Sequence, residues 1–333
     1  MLKKFFSFLA LLVAVGIISA NASAATTAGT TTSTVSSTGT SSSENFAYLD
    51  AAWFDGSNPV SDSSIANFTR NMADQQIHTQ FCDIGLIQDD GTLPASGYVN
   101  LAHWIQQARL ADPQVKIIPV LNYGKRRTNT NFGTQSFNNQ LNTAIKTLKA
   151  SNNIDGIHLD IEAFKDNDTV YLHLMSYLKA NSLRSLPLYI ATPATTWSNS
   201  FITQVAGVAQ ELNPMVYDTM GWGSSVVDGP TYTDYFQKVA TTYSNAIGTL
   251  PCKLAPTLPS YLTRTASDGT VYHDQSVENI TNGITALNNA IAAGAHVSGA
   301  GIFWWPNFNG LYPTIYTQYQ QDQNAWTTNW LKI

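Results

Sequence analysis

Ile154-Asp155-Gly156-Ile157-His158-Leu159-Asp160-Ile161-Glu162 is the stretch on which the fold of this chain turns. It is short, β-rich and strictly alternating. Side chains of a strand face opposite sides in turn, so Ile157, Leu159 and Ile161 share one face and His158, Asp160 and Glu162 the other. Immediately after it, Val170, Leu174, Met175 and Leu178 recur at helical spacing. A strand followed by a helix that covers its aliphatic face is half of a parallel βαβ unit.

Working outward, seven further runs have the same strand character: Phe46–Phe54, Ile77–Ile87, Val115–Tyr123, Leu186–Thr192, Leu212–Tyr217, Lys253–Leu258 and Ala300–Trp305. Helical periodicity lies between them, as in Phe137, Leu141, Ile145 and Leu148, and again in Ile280, Ile284, Leu287 and Ile291. Eight such units joined by right-handed crossovers predict a (β/α)8 TIM barrel. The alternative is an open doubly wound sheet, which usually carries a Gly-rich phosphate loop after its first strand. Here the chain reads Asp55-Gly56-Ser57-Asn58-Pro59 at that point, so the barrel is preferred.

The flanks are of another kind. Lys3 and Lys4 precede an apolar run, Phe5 to Ile18, and Ala22-Ser23-Ala24 offers small residues for cleavage. This is the layout of a secretory signal peptide, 1–24. The run is shorter than the roughly 20 residues of a spanning helix, so no stable membrane insertion is expected after cleavage. Residues 25–43 are almost entirely Ser, Thr, Gly and Ala, a disordered linker by composition. The barrel domain is therefore 44–333, in an exported protein.

Seventeen basic against 22 acidic residues give a net charge of −5 for the 333-residue chain, with no basic field for nucleic acid. Nothing in the sequence calls for a cofactor or a second subunit, and a monomer is expected. The two cysteines, Cys82 and Cys252, fall on strands two and seven. Three strand spacings, roughly 14 Å, separate them, against a disulfide limit of about 7 Å, so two unpaired thiols are expected.

The inward row of the fourth strand carries the chemistry. Three ionisable groups in a barrel interior are costly unless they are used, though a buried structural network is one use. A single metal ion is a poor one: His158 and Glu162 stand roughly 13 Å apart along the strand. A pair assisted by another strand stays open. Acid catalysis is the third reading, since Glu162 lies at the C-terminal end of the strand, where barrel active sites form, with Asp160 one layer deeper.

The stretch resembles the signature of glycoside hydrolase family 18, the chitinases and endo-β-N-acetylglucosaminidases, whose pattern is Asp-x-x-Asp-x-Asp-x-Glu on strand four of a (β/α)8 barrel. Asp155, Gly156, Asp160 and Glu162 match it, and His158 stands where the family has its middle Asp. Met215-Val216-Tyr217-Asp218 resembles the Met-x-Tyr-Asp segment of strand six. Gly301-Ile302-Phe303-Trp304-Trp305 resembles the strand-eight run that ends in the Trp beneath the sugar, with Trp305 in register and Trp304 as the fallback. The chain departs from the pattern at strand three, where Val120-Leu121-Asn122-Tyr123-Gly124 replaces a Ser-x-Gly-Gly run.

The resemblance implies a substrate-assisted retaining hydrolase acting next to N-acetylglucosamine in a polysaccharide or oligosaccharide. Glu162 would be the general acid and base, Asp160 the group that orients the 2-acetamido N–H, and Tyr217 the donor to its carbonyl. Asp218, Met215, Trp305, Trp222 and His158 would line the sugar site. His158, in the place of an acid, would be either a cation holding Asp160 ionised or a neutral ring accepting its proton. Trp53 and Trp197 also follow strands and are weaker candidates for the cleft. Three alternatives remain: an endo-β-N-acetylglucosaminidase acting on N-glycans, an ordinary two-carboxylate glycosidase using Asp50 or Asp83, and a catalytically inactive, carbohydrate-binding barrel.

Overall fold

The structure is a computed structural model that describes residues 44–126, 128–162, 165–220, 226–314 and 316–331. The signal peptide and linker expected at 1–24 and 25–43, and the candidate Trp222, lie outside the described residues.

Eight parallel strands close into a barrel, in sequence order. They are Phe46–Leu49, Thr79–Leu86, Lys116–Tyr123, Ile157–Ile161, Leu188–Pro193 and Glu211–Met215, then a seventh in two pieces, Lys253–Leu254 and Thr257–Pro259, and Gly301–Phe303. Each pairs with the next, and the first pairs with the eighth through Phe46↔Gly301. The seventh breaks at Ala255-Pro256 because Pro256 has no N–H for the ladder. Its carbonyl still accepts from the Gly301 N–H at 2.9 Å.

All eight expected strands are present, most of them shorter than their apolar runs. The first stops at Leu49 because Asp50 caps a helical turn, Ala51–Phe54, accepting from the Ala52 N–H at 3.0 Å. Helix Gln135–Ser151 buries Phe137, Leu141, Ile145 and Leu148, and helix Ile280–Ala292 buries Ile280, Ile284 and Leu287. In helix Thr169–Ala180 the stripe begins at Tyr171, and Val170 faces outward. Both cysteines are free and buried.

Two apolar layers result. Outward-facing residues, Ile157, Leu159 and Ile161 among them, pack beneath the helices. Inward, Phe46, Tyr48, Phe81, Ile118, Val120 and Tyr189 fill the lumen, so it is a packed core with no pore. Gly156 enters the fourth strand where a Cβ would stand 2.9–3.1 Å from Tyr189, Ile118 and Pro187. Its neighbour Asp155, the first acid of the motif, is a structural clamp. One of its oxygens accepts from the Ile117 N–H at 2.7 Å and from Arg109 at 2.8 Å.

Glu211, at the N-terminal end of the sixth strand, is buried with one oxygen bonded by Asn213 at 2.8 Å and the other without a partner. Burial pushes its carboxyl up to about 8. The unfolded chain ionises this group first, so folding is penalised from its ordinary range upward until the folded value is passed. Glu211→Gln should therefore stabilise the protein by on the order of 1–3 kcal/mol at pH 8 and change little near pH 4. Melting curves at the two pH values check this. Equal shifts at both would sink the argument.

Candidate active site

The C-terminal mouth of the barrel collects the acids. Asp160 is the penultimate residue of the fourth strand, in register with Asn122 of the third. Glu162 follows the strand, its N–H bonded to the Tyr123 carbonyl at 3.0 Å. Burial, then the charge of Glu162, then that of Asp83, raises the Asp160 carboxyl well above the usual range. Burial and then the Asp218 charge raise Glu162. Burial and like charge thus push both carboxyls toward the protonated form. One Asp160 oxygen, Oδ1, is buried without a hydrogen-bond partner. An orphaned polar atom at a cleft is a place for a ligand donor.

His158 is not in the cleft. It is fully buried, its Nε2 lies 3.2 Å from the Tyr48 hydroxyl, and its ring packs 4.5 Å from that of Phe81. Burial lowers it to about 3, so the ring is neutral throughout the working range. The expectation that it lines the sugar site is thus corrected. It fills the aromatic layer below the acids and does not act as a cation on Asp160.

Tyr217 and Asp218 follow the sixth strand, whose last residue is the half-buried Met215. The Tyr217 ring stacks on Phe303 at 5.5 Å and meets Tyr261 edge-on at 5.8 Å. Burial and the acids around it hold its hydroxyl protonated, a hydrogen-bond donor at neutral pH. Asp218 has a left-handed backbone, φ 55°, and its Oδ1 accepts from the Tyr261 hydroxyl at 2.5 Å.

Trp305 is the second correction. It lies past the end of the eighth strand in the helical turn Trp305–Phe308, 1% exposed and packed on Phe308. Trp304, the half-buried residue directly after Phe303, takes the strand-end position. Its backbone is fixed by Ser260, whose Oγ accepts from its N–H and donates to its carbonyl, both at 2.7 Å. Trp53 and Trp197 are core residues. Trp53 stacks between Phe68 and Trp104, and Trp197 packs on Phe201.

The two-carboxylate alternative loses its acids to structural bonds. Asp50 is the helix cap already described. Asp83 accepts from Asn122 at 2.7 Å and from the Gly85 N–H at 3.1 Å. Burial pushes Asp83 up to about 6.

Three residues of the mouth carry no sequence signal: Tyr261, His273 and Glu278. Ligand-type atoms of Asp218, His273 and Glu278 lie within 4.8 Å of one another. Glu278, however, is taken up by the N–H groups of Asp218 (3.1 Å) and Thr219 (2.8 Å) and by His273 Nδ1 (2.7 Å). The cluster is a closed hydrogen-bonded circuit.

The fold is thus a filled parallel (β/α)8 barrel with two raised carboxyls at the end of its fourth strand. Comparison with solved structures agrees on the fold. The spore cortex-lytic enzyme SleL of Bacillus megaterium superposes with a TM-score of 0.62 at 14% identity, covering 88% of this chain and 75% of that one. A chitinase from Chromobacterium violaceum gives 0.57 at 13%, covering 85% and 98%. A family GH18 chitinase from Cycas revoluta, solved with allosamidin, gives 0.57 at 13%, covering 83% and 99%. No protein-family model matches the chain, and no curated protein matches it.

Proposed function

We propose that this chain is a secreted glycoside hydrolase that cleaves β-1,4 bonds next to N-acetylglucosamine, in chitin or chito-oligosaccharides, with retention and substrate assistance. The observation that carries the reading is the Asp160–Glu162 pair, both carboxyls raised, at the mouth of a barrel otherwise packed with aromatic rings. Glu162 gives its proton to the glycosidic oxygen as the bond to C1 breaks. The substrate's acetamido carbonyl oxygen bonds to C1 and forms an oxazolinium ion. Asp160 holds the acetamido N–H, and the Tyr217 hydroxyl donates to the carbonyl oxygen. Water then attacks C1, Glu162 takes its proton, and the oxazoline ring opens. An internal nucleophile replaces the second carboxylate of the usual scheme, and its positioning removes several kcal/mol of barrier. The sugar lies on Trp304. Every group named comes from one chain, so a monomer suffices.

The test is a fluorogenic panel over pH 4–9: N-acetylated chito-oligosaccharides, their de-acetylated counterparts, an N-glycan and spore cortex. Turnover confined to N-acetylated substrates is expected. Equal turnover of the de-acetylated sugars would overturn substrate assistance. Binding without turnover on any substrate would identify an inactive, carbohydrate-binding barrel. Release from the N-glycan alone would move the assignment to an endo-β-N-acetylglucosaminidase.

A further inference from the structure

Building on that reading, we propose that His273 and Glu278, which lie between the seventh and eighth strands, are positioning residues for the hydrolysis and act through Asp218. Both are fully buried. His273 ends the short antiparallel ribbon Arg264–Thr265/Val271–His273 and Glu278 lies in the segment that follows it, both outside the motif-bearing strands.

The circuit runs as follows. Glu278 Oε2 accepts from the Asp218 N–H at 3.1 Å, and Oε1 from the Thr219 N–H at 2.8 Å and from the Thr219 hydroxyl. These bonds pin two successive amides directly after Tyr217, where the chain adopts the left-handed backbone of Asp218. A non-glycine residue in that region holds only if its surroundings fix it. His273 spans the circuit. Its Nδ1 meets Glu278 at 2.7 Å, and its Nε2 meets the Tyr261 carbonyl at 3.1 Å. The ring thus bridges the Glu278 carboxyl and the Tyr261 carbonyl. The Tyr261 ring stacks on His273 at 4.0 Å, and its hydroxyl returns the circuit to Asp218.

The consequence reaches the general acid. Burial raises the Asp218 carboxyl, Tyr261, His273 and Arg264 counter it by favouring the charged form, Glu278 disfavours that form, and the Asp218 charge raises Glu162. Tyr217 also faces Asp218. A slack circuit leaves Asp218 neutral or displaced, and Glu162 then gives up its proton at lower pH. The alkaline limb of kcat/KM reports the proton of the acid, so it should move down in pH.

The test compares wild type with His273→Phe, which keeps the stack and deletes both hydrogen bonds, Glu278→Gln, and Tyr261→Phe, which deletes only the hydroxyl to Asp218. With folding verified by melting, the first two should lose roughly 10- to 100-fold in kcat with KM within threefold, in the range of a lost positioning contact. The alkaline limb of His273→Phe should move down. Tyr261→Phe should do the same more weakly and keeps the test open if either of the others fails to fold. Hydrogen exchange at the Asp218 and Thr219 amides supplies a readout independent of turnover, and protection there should fall in Glu278→Gln. Unchanged kcat and pH profile in folded variants of an active wild type would overturn the proposal. Unchanged amide protection would also overturn it, even if wild type cleaves none of the panel, which would itself refute the function proposed above.

Discussion

Glu162→Gln is expected to lower kcat on an N-acetylated chito-oligosaccharide about a thousandfold, the middle of the range for a lost general acid. The amide has nearly the shape of the protonated acid but no proton to give to a leaving oxygen. Because burial and Asp218 already hold Glu162 toward its neutral form, the substitution removes chemistry without removing a charge the fold relies on. Calorimetric affinity for the same oligosaccharide should be retained within a few-fold, and the melting temperature should not fall. A substrate whose leaving group needs no protonation, such as an activated aryl glycoside, should be rescued in part, since only the protonation step is lost. Near-wild-type kcat in a folded Glu162→Gln protein would place the acid elsewhere, and Asp83, pushed up to about 6, would be examined next.

The order in which the site became legible has a physical basis. Alternation on the fourth strand placed Asp160 and Glu162 on one face because strand geometry is local, and the barrel followed from eight repeats of the same pattern. The fate of His158 could not be read in this way. Whether an inward His meets an acid or a hydroxyl depends on Tyr48 and Phe81, which lie on strands one and two. Trp304 and Trp305 differ by one residue, and the end of the eighth strand at Phe303 sends the first to the mouth and the second into the core. Apolar periodicity gives no information about where a strand stops. The Tyr261–His273–Glu278 circuit left no pattern at all. Its members come from a segment without regular amphipathic spacing and meet Asp218 across 43 to 60 residues of chain.

Asp160→Asn should move activity and stability in opposite directions, and this separates a working group from a structural one. Folding raises the proton affinity of Asp160, through burial first, then Glu162, then Asp83. The sign follows from linkage. Below the ordinary carboxylate range both folded and unfolded chains carry the proton, and the group costs nothing. As pH rises the unfolded chain releases the proton first, so the folded state loses ground until the folded value is passed. Asn carries no such proton and is nearly isosteric, so the melting temperature of Asp160→Asn should match wild type at pH 4 and exceed it at pH 7–8. The orphaned Oδ1 leads to the same result, since no protein hydrogen bond is lost there. Activity should fall by about a hundredfold, within the range for a lost electrostatic contact to a charged intermediate. Asn can still bond the acetamido group in one orientation, but it cannot develop negative charge against an oxazolinium ion. KM should change less than kcat, because the missing contact strengthens only as that charge appears. A variant both less stable and less active at pH 8 would instead make Asp160 a structural member of the barrel mouth. It would also remove the main support for substrate assistance, since no other inward acid of the fourth strand adjoins Glu162. Site residues that a protein keeps at a cost to its own stability are those that function requires. Two melting curves and one rate therefore decide whether the acids of the fourth strand catalyse a reaction or only fill the barrel mouth.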